Sequence, residues 1–256
     1  ITSGPGRSVE DLLDNLLSDE AEAREEGEEF SGVKIDLSKY FDRCTPERCI
    51  QMLEKLGANK GFTEVIRSFY DQVTLYAECQ GAVAREPIER KRGLLQGCPA
   101  SVLLAIIEQH GWIKYVKKQA PSIKICAYVD DRTIWARGGY AVEELKKAIT
   151  AAKEYDRAAG LIWNKGKGAM WSTCEEHKKH MIEAQLGLGE IEEAIDIVRA
   201  TMLISRDTEE EARLRRKSWD VAIRQLERIR IALTDGYNGR KRRQRMIQKL
   251  VLPKLT

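Results

Sequence analysis

The sequence predicts an α+β fold, with antiparallel strands backed by helices. Two observations carry this. Strand-forming runs near residues 33–37 and 123–135 are set off by breakers, and helix-like stretches with apolar stripes lie between and beyond them. Residues 33–42 read Val-Lys-Ile-Asp-Leu-Ser-Lys-Tyr-Phe-Asp. Val33, Ile35 and Leu37 alternate with Lys34, Asp36 and Ser38, the two-residue period of a strand. Asp36 therefore falls on the face opposite the apolar residues. From about Thr45 the pattern turns helical. Thr45 suits an N-cap and Pro46 the first helical position, while Ile50, Met52, Leu53 and Leu56 form an apolar stripe.

The next element opens with a loop, Arg92-Gly93-Leu94-Leu95-Gln96-Gly97-Cys98-Pro99-Ala100-Ser101, ahead of an apolar run from Val102 to Ile107. Pro99 and Ser101 suit a helix entry. Such a loop can set backbone donors and the Gln96 amide against a nucleotide, or can be an ordinary turn before a buried helix.

Residues 123–135 are rich in strand formers, Ile123, Ile125, Tyr128, Val129, Thr133, Ile134 and Trp135, bounded by Pro121 and Gly138-Gly139. The natural reading is a hairpin with Asp130 and Asp131 near its apex. Adjacent carboxylates repel, and burying either alone is costly. A divalent cation removes both problems, because hard oxygens suit Mg²⁺. The bland alternative is an Asp-Asp turn.

A helical stretch from about Ala141 to Ala159 ends at the breaker Gly160. Residues 160–168 follow as Gly-Leu-Ile-Trp-Asn-Lys-Gly-Lys-Gly, with Lys165 and Lys167 as candidate phosphate contacts or proton donors, or simply a solvated basic loop.

In order, these segments resemble the palm motifs of reverse transcriptases, most closely those of the non-LTR retrotransposon and group II intron branch. The strand carrying Asp36, with Phe41-Asp42 after it, is similar to the family's first catalytic motif. Gln96 to Ser101 looks like its Gln-Gly-Ser-Pro-x-Ser loop. Tyr128-Val129-Asp130-Asp131 matches the Tyr-x-Asp-Asp box. Gly160 to Lys167 resembles Gly-Leu-x-x-Asn-x-x-Lys. Near the start, Gly4 to Asp11 looks like a Pro-Gly-Arg-Ser finger motif, and Val251 to Leu255 resembles the end of the helical region after the palm. The departures are Tyr40, Cys98, Val102, Arg132 and Gly168, none of which removes a carboxylate.

The resemblance implies a polymerase palm at 32–185, a partial fingers segment at 1–31 and a basic, helical, thumb-like region at 186–256. It implies an RNA-directed DNA polymerase that extends a DNA primer on an RNA template with dNTPs, using two Mg²⁺ ions for which Mn²⁺ can substitute. Asp36 and Asp130 would bridge the metals, with Asp131 less central and the Leu37 carbonyl adding a ligand. Phe41 would pack under the sugar and exclude a 2′-hydroxyl, unless it is only a core aromatic. Gln96 and Gly97 would line the nucleotide pocket, Tyr128 would touch the primer end, Lys167 would protonate the leaving pyrophosphate, and Arg7 would approach the nucleotide phosphates. Two alternatives stay open: a degenerate palm acting as an RNA- or protein-binding scaffold, and an RNA-dependent RNA polymerase.

Composition narrows the setting. With 256 residues the chain can bury a sizeable core. No apolar run approaches membrane-spanning length, and the start lacks a signal peptide. The chain begins without Met and reads as an excerpt of a longer polyprotein. Six cysteines without framework spacing suggest a reducing compartment, hence an intracellular protein of nucleus and cytoplasm. Cys174, His177 and His180 have zinc-like spacing with no obvious fourth ligand nearby, and the charged residues between them read better as a solvated helix.

Net charge is only +3 but unevenly spread. Glu20 to Glu29 form an acidic segment expected after the first helix. Ala212 to Leu233 reads as a long Arg-rich amphipathic helix. Arg240, Lys241, Arg242, Arg243 and Arg245 suit a nucleic-acid backbone, or a nuclear import signal.

Overall fold

The computed structural model describes residues 9–90, 92–197 and 200–204. In chain order the elements are α1 (Val9–Glu25), β1 (Phe30–Asp36), α2 (Tyr40–Arg43), α3 (Pro46–Lys55), α4 (Lys60–Gln72), β2 (Leu75–Cys79), β3 (Ala82–Ile88) and α5 (Pro99–Gln119). Then follow β4 (Lys124–Tyr128), β5 (Asp131–Arg137), α6 (Ala141–Ala159), β6 (Ala169–Ser172), α7 (Glu175–Glu183), β7 (Ala194–Ile197) and β8 (Ala200–Leu203).

The central sheet has the order β4-β5-β1-β6, antiparallel throughout. Its pleat gives it two unlike faces. Val33, Ile35, Ile125, Ile134 and Met170 point into the main core with α3, α5 and α6. The other face carries Phe30, Gly32, Lys34 and Asp36 from β1. One end of that face is sealed by a second apolar cluster, in which Phe30, Cys126, Trp135 and Trp171 meet Leu16 and Ala23 of α1 and Ile195, Met202 and Ile204. A Cβ built on Gly32 would lie 2.2 Å from the Trp171 ring, so only glycine admits the indole there. The other end, at Asp36, is the half the apolar cluster leaves free.

Local sequence explains most boundaries. Thr45 occupies the N-cap position of α3 without a side-chain capping bond, Pro46 opens the helix, and Gly160 ends α6 in the left-handed conformation at φ 72°. Two elements differ from expectation. The acidic segment does not wait for the first helix to end, because α1 runs to Glu25 and takes in Glu20, Glu22 and Glu25. Glutamate is a good helix former, and Arg137 gathers Glu22, Glu26 and Glu28 against the end of β5. The β2–β3 hairpin was not expected: its residues are nearly all exposed, so no alternation marks it. Among the described residues no helix is long and apolar enough to cross a membrane.

Candidate active site

Strand register alone delivers two of the carboxylates. β1 and β5 run antiparallel and pair Asp36 with Asp131, and β4 and β5 pair Asp131 with Tyr128. Asp130 lies in the two-residue turn between β4 and β5. The other turn residue, Val129, takes a left-handed φ of 56°, unusual for a β-branched side chain and costing roughly 1–3 kcal/mol.

The third contribution comes from the segment after α6. The Ser38 N–H donates to the Ile162 carbonyl at 2.8 Å and the Asn164 N–H to the Asp36 carbonyl at 2.9 Å. Leu37 and Trp163 form an antiparallel bridge between them. The chain then turns, with the Lys167 N–H bonding back to the Asn164 carbonyl at 3.1 Å and the Lys167 side chain exposed.

These groups sense one another. Burial raises the Asp131 carboxyl above its ordinary range. Lys34 opposes the rise, the charges on Asp130 and Asp36 add to it, and Lys167 opposes it again. Five charged groups from three segments thus share one end of the sheet. Lys34 was not among the expected site residues, although its parity with Asp36 on β1 was visible.

The donor set consists of hard oxygens and fits Mg²⁺, which would offset both the burial that raises Asp131 and the repulsion from Asp130 and Asp36 that adds to it. Among the described residues no three carboxylate, histidine or cysteine side chains already close into a ligand cage.

The nucleotide-side residues form a second group. The Leu94 N–H donates to the Phe41 carbonyl at 2.7 Å and the Gly93 N–H to the Cys44 carbonyl at 2.9 Å, which docks the Gln96-Gly97 loop against α2. Gln96 and Gly97 are exposed, and Gly97 needs its φ of 90°. An open cleft of about 320 Å³ lies here, lined in part by Asp42, Arg90, Arg92 and Gln96. Phe41 is half-buried against the main core and edge-on to Tyr40, with ring centroids 5.9 Å apart. Tyr128 packs against the second cluster.

Three departures from the family pattern have structural reasons. Tyr40 is buried, and its hydroxyl donates to the Ala105 carbonyl of α5 at 2.8 Å. A Cβ built on Gly168 would lie 3.3 Å from both the Lys34 carbonyl oxygen and the Leu188 side chain, tighter than ordinary contact. Arg132 is fully buried on the core side of β5, ion-paired with Asp156 at 2.8 Å. Neither Asp156 nor Gln109, which Arg132 also contacts, was expected to matter. The available signal was a carboxylate on the buried stripe of a helix, which demands a partner.

His177 is buried, its Nδ1 3.0 Å from the Ser31 hydroxyl, which pairs in turn with Ser172. Arg7, Arg240, Lys241, Arg242, Arg243 and Arg245, and the helix expected over 212–233, lie outside the described residues.

Comparison with known proteins gives a consistent picture. The family model described as "Reverse transcriptase (RNA-dependent DNA polymerase)" matches residues 3–194. The structure is similar to that of apo telomerase from Candida tropicalis truncated from its C-terminal domain. The TM-score is 0.56 at 14% identity, covering 79% of this chain and 39% of that one. It is also similar to telomerase from Candida albicans in complex with a TWJ fragment of telomeric RNA, with a TM-score of 0.54 at 14% identity, covering 77% and 33%. The likeness is one of fold: a palm-like sheet with its helices. The chain spans 39% of the length of the first of these telomerases and 33% of the second.

Proposed function

Because this chain belongs to the reverse transcriptase (RNA-dependent DNA polymerase) family, we propose that it extends a DNA primer on an RNA template by nucleotidyl transfer. The observation that carries this reading is the facing of Asp36 and Asp131 across β1 and β5, with Asp130 in the adjoining turn. A scaffold without catalysis has no use for three carboxylates at one end of a sheet, where they repel one another.

Phosphoryl transfer asks for positioning and charge neutralisation rather than covalent chemistry from the protein. Two divalent ions, when bound, steady the attacking and leaving oxygens of the displacement. Asp36, Asp130 and Asp131 would hold them, with the Leu37 carbonyl as a further ligand. Gln96 and Gly97 border the incoming nucleotide, Phe41 screens its 2′ position, and Tyr128 meets the primer end. Lys167 gives its proton to the leaving pyrophosphate. Arg7 serves the nucleotide phosphates.

Within the family, the Gln-Gly-Cys-Pro-Ala-Ser loop and the Tyr-Val-Asp-Asp box support the non-LTR retrotransposon and group II intron branch. We read 32–185 as palm, 1–31 as part of the fingers and 186–256 as thumb-like. The cluster at Arg240, Lys241, Arg242, Arg243 and Arg245 suits a grip on template-primer. Neutralising Arg240 to Arg243 should then lower the log-log salt slope of binding by roughly 0.9 per lost contact on B-form duplex. An unchanged slope would leave an import signal or a solvated face.

Primer extension on a homopolymer template, with dNTPs against rNTPs, tests the main reading. Incorporation of dNTPs is expected. Preference for rNTPs would make the chain an RNA-dependent RNA polymerase, and template binding without extension would make it a scaffold.

A further inference from the structure

We infer that a buried hydrogen-bond network behind the sheet, Gln109–Arg132–Asp156–Trp163, positions all three candidate metal carboxylates as one unit. The inference rests on the polymerase reading and adds to it four residues that touch neither metal nor nucleotide.

Each link is short, and those that Arg132 makes to Gln109 and Asp156 are buried. Arg132 extends from β5 toward the helices, on the opposite face from Asp131, its sequence neighbour. Its Nε donates to Gln109 Oε1 at 2.7 Å, and its Nη1 donates to both Asp156 oxygens at 2.8 Å. The guanidinium lies over the Trp112 ring, 4.1 Å from its centroid. Arg132, Gln109 and Asp156 are each at most 2% exposed.

The network has three outward arms, one for each carboxylate. Arg132 itself fixes β5 immediately after Asp131. The Gln109 Nε2 donates to the carbonyl of Val129, the strained turn residue next to Asp130. Asp156 Oδ2 accepts from the Trp163 indole N–H at 2.6 Å. The strand-like segment around Trp163 holds Asp36 by the Asn164 N–H and Ser38 by the Ile162 carbonyl. A single carboxylate, Asp156, therefore ties the Asp36 segment to the Asp130-Asp131 hairpin.

A simpler network would have served stability alone. Buried ion pairs are often no more stabilising than well-packed apolar residues of similar size, and their directional bonds serve geometry better. Outer-shell partners of metal ligands typically govern metal affinity by 10- to 100-fold. A left-handed valine at the apex needs an anchor, and Gln109 supplies one.

The test uses the full 256-residue chain and Mn²⁺, followed by electron paramagnetic resonance, with circular dichroism to confirm folding. Parental protein should bind Mn²⁺ in a manner lost in Asp130→Asn; absence of that binding would overturn the metal-site reading itself, and this inference with it. Gln109→Met cuts the Val129 arm, and Trp163→Phe removes the indole N–H that Asp156 accepts while keeping a smaller aromatic ring in its place. Each should weaken Mn²⁺ binding about tenfold while template-primer affinity stays unchanged. The double variant should lose less than the product of the two, because both arms feed one unit. If Gln109→Met does not fold, Trp163→Phe decides. Folded variants that bind Mn²⁺ within twofold of a metal-binding parent would overturn the inference alone and leave the network a packing device.

Discussion

Asp36 and Asp131 stand directly opposite each other, one closing β1 and the other opening β5. That pairing needs no loop to arrange it, only the register of two antiparallel strands. A one-residue slip would send every side chain of β1 to the other face and bury Asp36 in the apolar core. The register is protected by Val33 and Ile35, which are fully buried on the core side.

Asp130→Asn should therefore abolish primer extension while leaving template-primer affinity near parental. In the proposed function Asp130 holds metal in the transition state and does not grip the duplex. A loss on the order of a thousandfold or more is expected, several kcal/mol in barrier. A single-turnover rate near parental would remove Asp130 from the metal site.

Phe41→Ala separates the two readings of that ring. Its partial burial and edge contact with Tyr40 suit packing, and its docking beside the Gln96 loop suits a nucleotide contact. If it screens the 2′ position, ribonucleotide incorporation should rise relative to deoxynucleotide. An equal loss for both sugars would make it a core aromatic only.

Gly32→Ala should destabilise the fold by about 1–3 kcal/mol, the usual range for overpacking. The added methyl would meet the buried Trp171 ring. Urea denaturation followed by tryptophan fluorescence reads this directly. An unchanged midpoint would mean that the indole has room to move.

The buried thiols set an alkaline limit. Burial pushes Cys44 up to about 12, with Glu108 adding to the rise, and pushes Cys126 up to about 11. Cys49 is raised in the same way. Unfolded thiols titrate near about 8.5. The stability these groups contribute is whole below that pH and is lost as pH climbs toward the folded values. The denaturation midpoint should fall from about pH 9 upward, and Cys44→Ala should flatten the decline. At pH 8 an alkylating reagent should reach the exposed Cys79 and spare Cys44, Cys49 and Cys126. Fast labelling of Cys44 in the native protein would contradict the burial.

The sequence was most legible where local chemistry decides the outcome. The helix from Ala141 to Ala159 and its stop at Gly160 follow from apolar spacing and one glycine. The hairpin around Asp130 follows from strand formers between breakers. The Asp36 strand was legible from Val33, Ile35 and Leu37, although it begins earlier, at Phe30. The β2–β3 hairpin was not legible, because an exposed ribbon carries no buried face to impose a period. The partners of Arg132 were also out of reach. Nothing local joins Gln109, Asp156 and Trp163, and only the packing of α5 and α6 behind the sheet brings them together. Arg132 therefore read as a mere departure from a motif.

Trp171, lying across Gly32, turns the free face of the sheet into a short shelf with a wall at one end. A polymer resting on that shelf cannot run lengthwise along β1, since the indole and the side chains from α1 and β8 stand over the strand's first half. To reach Asp36 and Asp131 it has to lie athwart the strands, between the β4 and β6 edges. If the proposed extension takes place there, each added unit shifts the polymer sideways across the shelf. The packing that completes the smaller core thereby selects the axis of travel.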